Sequence, residues 1–175
     1  MGGINQLGKL IKAALYLEGN TLVGQGQITL PQIQFEMIEH EGFGSGGRIE
    51  IPMRRLQPME MQVQTMAPSA ELVSKALDIS NTFRLQCRGA FQTFDSLTGS
   101  GGVVADRMDV TLLPKSWNPG TRQQGEGGEF EHTFSVLSVA YYVDGIEKLF
   151  VDVPSGIYRV DGVDKFAGDR EALGF

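Results

Sequence analysis

The chain is 175 residues long, with 41% hydrophobic and 21% charged residues and a formal net charge of −6. That length suits one domain with a sizeable core, and that balance points away from both a disordered chain and a membrane protein. The acidic excess, with a pI near 4.9, argues against an electrostatic grip on nucleic acid, which needs lysine and arginine to displace counterions from phosphate.

Residues 1 to 10 read as a flexible N-terminal arm, in which glycines dilute the apolar anchors Ile4 and Leu7. Lys9 and Lys12 precede a short apolar run, Ala13 to Leu17, that Glu18-Gly19-Asn20 ends too early for a signal peptide or a membrane span. Synthesis in the cytoplasm is the expectation. Ala13 to Glu18 reads as a strand, Gly19-Asn20 as its turn and Thr21 to Gly24 as the return. Ile33, Phe35 and Met37 alternate with Gln34, Glu36 and Ile38, the period-two signature of a half-buried strand. Beyond Glu39-His40-Glu41 comes Gly42-Phe43-Gly44-Ser45-Gly46-Gly47, and Arg48 to Met53 resumes the extended pattern, so residues 41–53 read as a projecting hairpin with a glycine tip.

Met59, Met61 and Val63 alternate with Glu60, Gln62 and Gln64 as a further strand. A short helix near 68–80 follows, with Pro68 in its first turn and an apolar stripe of Leu72, Val73, Ala76 and Leu77. Phe83, Leu85, Cys87, Gly89 and Phe91 line one face of the next strand, opposite Arg84, Gln86, Arg88 and Gln92. In that alternating run the single cysteine, Cys87, reads as a small buried hydrophobe. After the turn from Asp95 to Gly102, Val104, Met108, Val110 and Leu112 carry the returning strand of a long hairpin. Glu129 to Val143 places Phe130, His132, Phe134 and Val136 on one side and Glu129, Glu131 and Thr133 on the other.

Tyr141 to Val143 and Ile146 to Val153 flank Asp144-Gly145, which supplies the positive φ angles of a tight hairpin turn. Pro154-Ser155-Gly156 breaks the second strand and Ile157 to Val160 forms a short third. A C-terminal helix near 162–173 is expected to start at Asp161 as N-cap, with Asp164 in its first turn, Val163, Phe166, Ala167 and Leu173 on its apolar face, and a left-handed cap at Gly174. The total is eight or nine strands and two short helices joined mostly by hairpins, a mainly β chain forming an antiparallel sandwich or barrel. Such a sheet has edges to protect, and pairing them with neighbouring subunits is one way to do so.

The sequence offers no constellation for catalysis, cofactor binding or metal ligation. His40, between Glu39 and Glu41, reads as a solvated strand end, and His132 as a packed or interface side chain. Gly42 to Gly47 lacks the Gly-Lys-Ser/Thr ending of a phosphate loop.

Tyr141-Tyr142 ahead of Asp144-Gly145, then Val160-Asp161-Gly162-Val163-Asp164-Lys165 and the closing Ala172-Leu173-Gly174-Phe175, resemble the major tail tube proteins of contractile-tailed bacteriophages, a family shared with R-type tailocins. Lys115-Ser116-Trp117-Asn118-Pro119-Gly120 is similar to that family's tryptophan-containing turn, and Thr29-Leu30-Pro31 to its opening segment. The resemblance implies a non-enzymatic subunit without cofactor, forming homo-hexameric rings that stack into a hollow tube inside a contractile sheath. It implies as partners the sheath protein, the tube initiator of the baseplate and a tape measure protein in the lumen, with DNA passing through unbound, no membrane, and a place in the tail of the virion. Glu41, Gly42, Phe43, Gly44, Gly46, Gly47 and Arg48, with Ile4 and Leu7 of the arm, are then the inter-ring contact candidates, and Glu129 and Glu131 the lumen-lining ones. The alternatives are the tube of a tailocin or of a type VI-like injection machine, and a soluble monomeric β-barrel that binds a small ligand.

Overall fold

Long runs of alternating apolar and polar residues favour paired strands, and the computed structural model contains twelve strands and two short helices among the residues it describes. Those residues are 6–23, 26–41, 46–95, 100–121, 123–124 and 128–174, with backbone alone at Gln6 and Leu7. In chain order the elements are β1 (Gln6–Leu17), β2 (Thr21–Leu22), β3 (Gly26–Thr29), β4 (Phe35–His40), β5 (Ile49–Leu56), β6 (Met59–Thr65), α1 (Ala70–Leu77), β7 (Phe83–Asp95), β8 (Gly101–Asn118), β9 (Phe130–Val143), β10 (Ile146–Asp152), β11 (Ile157–Val160), β12 (Val163–Asp164) and α2 (Ala167–Leu173).

The main sheet runs β12-β11-β10-β9-β8-β7-β1-β2, every neighbour antiparallel, while β4 and β5 form a separate two-stranded ribbon. β9 is the pivot. One of its edges pairs with β8 throughout, whereas the other is shared: Phe130 to Val136 pair with β6, and Ser138 to Val143 with β10. β3 adds to the outer edge of β6. This division splits the sheet into two layers with the core between them: Met61 and Val63 of β6, Phe134 and Val139 of β9, Leu85 of β7, Leu112 of β8 and Leu72 of α1 are all buried. The rings of Phe83 and Phe134 meet edge to face with centroids 5.2 Å apart at its centre.

The sheet is a sandwich and does not close into a barrel, since β1 with β2, β3 and β12 end the strand path at three separate edges among the described residues. The strand count exceeds the expected eight or nine; the strands absent from the sequence reading are β3, of four residues, and β12, of two, both too short to carry a clear periodic signal. Helix α1 is shorter than 68–80, and its cap is Ser69, whose Oγ accepts the Leu72 N–H at 3.4 Å.

Two termini depart from the sequence reading. Of the arm expected over 1–10, residues 1–5 lie outside the described residues, and Gln6 to Leu10 are strand, paired with Asp95 to Phe91 of β7. β7 supplies a long template there, and a bulge at Ile11 re-phases the strand before Lys12. At the other end Asp161 is not an N-cap. Asp161 and Gly162 take φ of 47° and 79°, the two successive positive values of a tight hairpin turn, and join β11 to β12. The helix begins at Ala167, after Phe166, with no side-chain cap. Asp164 instead accepts the Phe166 N–H at 2.9 Å and pairs with Arg170, which holds its carboxyl below the usual carboxylate range. Val163 and Leu173 are 55% and 73% exposed, so the helix buries no apolar face of the expected kind. Gly174, at φ 82°, caps it as read from the sequence.

Candidate assembly surface

Among the described residues the ribbon β4–β5 is the one pair of strands outside the main sheet. Its base is fixed: the Phe35 ring meets Tyr158 of β11 edge to face at 5.3 Å, Tyr158 stacks on Phe166 at 5.2 Å, and Arg54 donates to Asp169 of α2 at 2.6 Å. Beyond that root the register sorts its side chains, because residues opposite each other on antiparallel strands share a face. Ile38 faces Ile51 and His40 faces Ile49 on one side, while Met37 faces Pro52 and Glu39 faces Glu50 on the other. One face is therefore mainly isoleucine, with His40 at its end, while the other is apolar at Met37 and Pro52 and charged towards the far end, where Arg48 lies within 3.7 Å of Glu39 and 3.4 Å of Glu41. Among the described residues the isoleucine face is left open: Ile38, Ile49 and Ile51 are 53%, 56% and 42% exposed. A two-stranded ribbon is only marginally stable alone in water, so this geometry calls for a partner surface.

The other contact candidates scatter. Glu41, Gly46, Gly47 and Arg48 are exposed at the far end of the ribbon, and Gly42, Phe43 and Gly44 lie outside the described residues, as does Ile4. Leu7 sits opposite Phe94 in β1. Glu131 stands in β9 opposite Gln64 of β6 and Asn118 of β8, and Glu129 is exposed just before it. Since Phe130, His132, Phe134 and Val136 are buried, Glu131, Thr133 and Ser135 point away from the core, beside Glu60, Gln62 and Gln64. Lys115 pairs with Glu60 on this polar face.

The outer face of β1, β7, β8 and β9 holds a feature the sequence reading missed. Arg88 and Arg107 stand directly opposite each other. Each guanidinium covers an aromatic ring, Arg88 over Tyr16 at 4.8 Å and Arg107 over Tyr142 at 4.2 Å, which offsets the repulsion between them. The polar alternation at Arg84, Gln86 and Arg88 is visible in the sequence, but the pairing depends on a register between strands that no local pattern specifies.

His132 is fully buried, stacked on Phe134 at 6.1 Å, and neither ring nitrogen has a hydrogen-bond partner. Burial lowers its pKa, so the ring is neutral. Cys87 is half-buried, and burial together with the Asp106 charge pushes its thiol up. Among the described residues no group of three metal-ligating side chains converges, and no helix is long and apolar enough to cross a membrane.

A sandwich with unpaired edges and a projecting ribbon apolar on one face defines a structural subunit, one whose surface is completed by other chains. Residues 8–174 match the family model described as phage tail tube protein FII, and the chain belongs to that family. It is a structural component of a tail tube. Its fold is also found in solved contractile injection machinery. The terminator from the PVC extracellular contractile injection system, described as sheath/tube terminator in the extended state, is 12% identical with a TM-score of 0.55, over 75% of this chain and 94% of that one. A chain of the PVC sheath-tube complex in the extended state is 13% identical with a TM-score of 0.53, over 75% and 88%. The tube-terminating cap of the anti-feeding prophage is 14% identical with a TM-score of 0.50, over 74% and 87%.

Proposed function

We propose that copies of this chain close into hexameric rings that stack into a hollow tube inside a contractile sheath. The observation that carries the reading is the conjunction of open sheet edges with the apolar, exposed face of β4–β5. Edge pairing joins sheets around a ring, and the ribbon reaches from one ring to the next. The ribbon residues Glu41, Arg48, Gly46 and Gly47, with the neighbouring Gly42, Phe43 and Gly44, make the inter-ring contact, and Ile4 and Leu7 a second one. Sheath protein, a baseplate initiator and a tape measure protein are the partners of such a tube.

Glu129 and Glu131 face the lumen in this reading. A carboxylate-lined channel repels phosphate, so DNA passes without adhering, and the acidic balance of −6 supports this. A tailocin tube shares every one of these features except the DNA. A ligand-binding barrel required closed edges, and the open strand path removes its basis.

Negative-stain microscopy with light scattering across a concentration series, with and without purified baseplates, tests the proposal. Rings or stacked tubes are the expected result. A chain that stays monomeric even on a baseplate template would overturn it.

A further inference from the structure

Two strand pairs in this chain set like charges directly across from each other, and their signs are opposite. On the main sheet Arg88 of β7 faces Arg107 of β8, and on the ribbon Glu39 of β4 faces Glu50 of β5. Like charges directly opposite destabilise the sheet that carries them, so each pair costs its own subunit stability that an outside partner returns. Glu39, Glu50 and Arg88 are exposed and Arg107 is half-buried. The arginine pair is held in place from behind. Arg88 Nε donates to Gln86 at 2.6 Å, and the Gln86 amide donates to Asp109 at 2.6 Å. Arg107 Nε, shut from solvent, lies 3.2 Å from the same carboxylate without the alignment of a hydrogen bond. With Tyr16 and Tyr142 against their planes, the two guanidiniums are fixed by their Nε edges and faces, and their terminal nitrogens meet no acceptor among the described residues. A recess of about 340 Å³ whose lining includes Arg88, Arg107, Tyr142 and Gly145 opens beside them. One carboxylate against two guanidiniums leaves this site positive. The ribbon face is left negative: Arg48 alone answers Glu39 and Glu41, at 3.7 and 3.4 Å, and Glu50 has no charged partner among the described residues.

We propose that the Arg88–Arg107 pair receives the Glu39–Glu50 pair from the ribbon of a second copy. The inference rests on the stacking reading above and names a receiving site for the charged face of the ribbon. In both pairs the side chains start about 4.5–5.5 Å apart at Cβ, the spacing of residues directly opposite on antiparallel strands. The acids therefore match the arginines in spacing as well as in sign, and two guanidinium–carboxylate pairs form side by side. Only the charged face is engaged. By register Ile38, Ile49 and Ile51 lie on the other face and stay free for a further surface. Because the two patches differ, the contact is head-to-tail and passes from copy to copy. A phosphate backbone would also meet two arginines, but it leaves the Glu39–Glu50 repulsion standing, and the chain's net charge of −6 opposes its approach.

Exchanging the charges tests the contact, with tubes followed by microscopy across a concentration series in the presence of purified baseplates. Glu39→Arg with Glu50→Arg, and separately Arg88→Glu with Arg107→Glu, are each expected to raise the subunit concentration needed for tubes at least about tenfold. All four replacements in one chain are expected to bring it back to within about threefold of the natural value, because the exchanged pairs attract again. A neutral cycle keeps the test decisive where a reversed chain folds poorly. Glu39→Gln with Glu50→Gln and Arg88→Gln with Arg107→Gln should each weaken tube formation, and all four together should weaken it no more than either pair. Normal tubes from either reversed pair overturn the proposal, and if the arginine reversal then alters the passage of DNA, the site belongs to phosphate. Losses that the exchange leaves unrelieved and that add up in the neutral cycle overturn it as well. Deletion of residues 42–47 separates this contact from the stacking reading. Tubes lost on that deletion but normal with both reversed pairs keep the ribbon as the stacking element and remove this contact alone. Tubes that form normally in every variant remove both.

Discussion

Ile38 and Ile51 stand directly opposite each other on the β4–β5 ribbon, and both stay exposed, at 53% and 42%. A cross-strand apolar pair contributes about 0.2–1 kcal/mol to its own sheet. Replacing both by serine is therefore expected to destabilise the subunit by less than about 1 kcal/mol, a shift of a few degrees at most in thermal unfolding. Its effect on assembly is expected to be far larger, with rings formed but tubes absent or short under the microscope. Tubes of normal length from the double variant would show that this face has no part in stacking.

His132 gives the fold an acid limit. Its folded pKa lies below the ordinary value of 6.5 because burial disfavours the charged ring, so between the two values the unfolded chain binds a proton that the folded chain refuses. The stabilisation is complete above pH 6.5 and declines as pH falls from there towards the folded pKa. His132→Leu removes a buried polar ring with two unpartnered nitrogens and keeps an apolar side chain, and such exchanges are close to neutral or stabilising. Urea unfolding at pH 7.5 and pH 5 should show the variant losing less stability than the natural chain over that interval. An identical loss in both would assign the acid sensitivity to other groups.

The same dipeptide shows where sequence reading succeeds and where it stops. Asp144-Gly145 and Asp161-Gly162 both form positive-φ turns, at 48° and 79° and at 47° and 79°. The first is legible because strands of clear β character flank it. The second reads as a helix start because β12 is only two residues long and an aspartate ahead of a helix also serves as a cap. The ribbon is legible too, from the alternation of Ile33 to Ile38 and the glycine cluster. The two like-charge pairs are not. They depend on Glu39 meeting Glu50 across the ribbon and on Arg88 meeting Arg107 across β7 and β8, relations fixed by register between strands.

Phe134 tests whether the two layers share one core. It is fully buried, packs edge to face on Phe83 and lies in β9, the strand common to both layers. Phe134→Ala is expected to cost about 3–5 kcal/mol through lost burial and the cavity left behind. Since a domain of this kind has only about 5–15 kcal/mol in hand, the variant should unfold at markedly lower denaturant in a single transition. Two separate transitions would show that the layers unfold independently.

The lumen assignment has the most direct electrical test. Around Glu131 the outward face of β6 and β9 carries uncharged Gln62, Gln64, Thr133 and Ser135, and the charge of Glu60 is met by Lys115. Glu131 and the exposed Glu129 therefore dominate the field of that face, and each change to lysine moves its charge by two units. If this face lines the channel, Glu129→Lys with Glu131→Lys turns a repelling wall into one that releases counterions from phosphate, and DNA should be delivered more slowly or retained in the tube. Added salt should relieve the retention, because the attraction it screens is the one introduced. Particles of normal length carrying both replacements and delivering DNA at the natural rate would place these glutamates elsewhere on the tube.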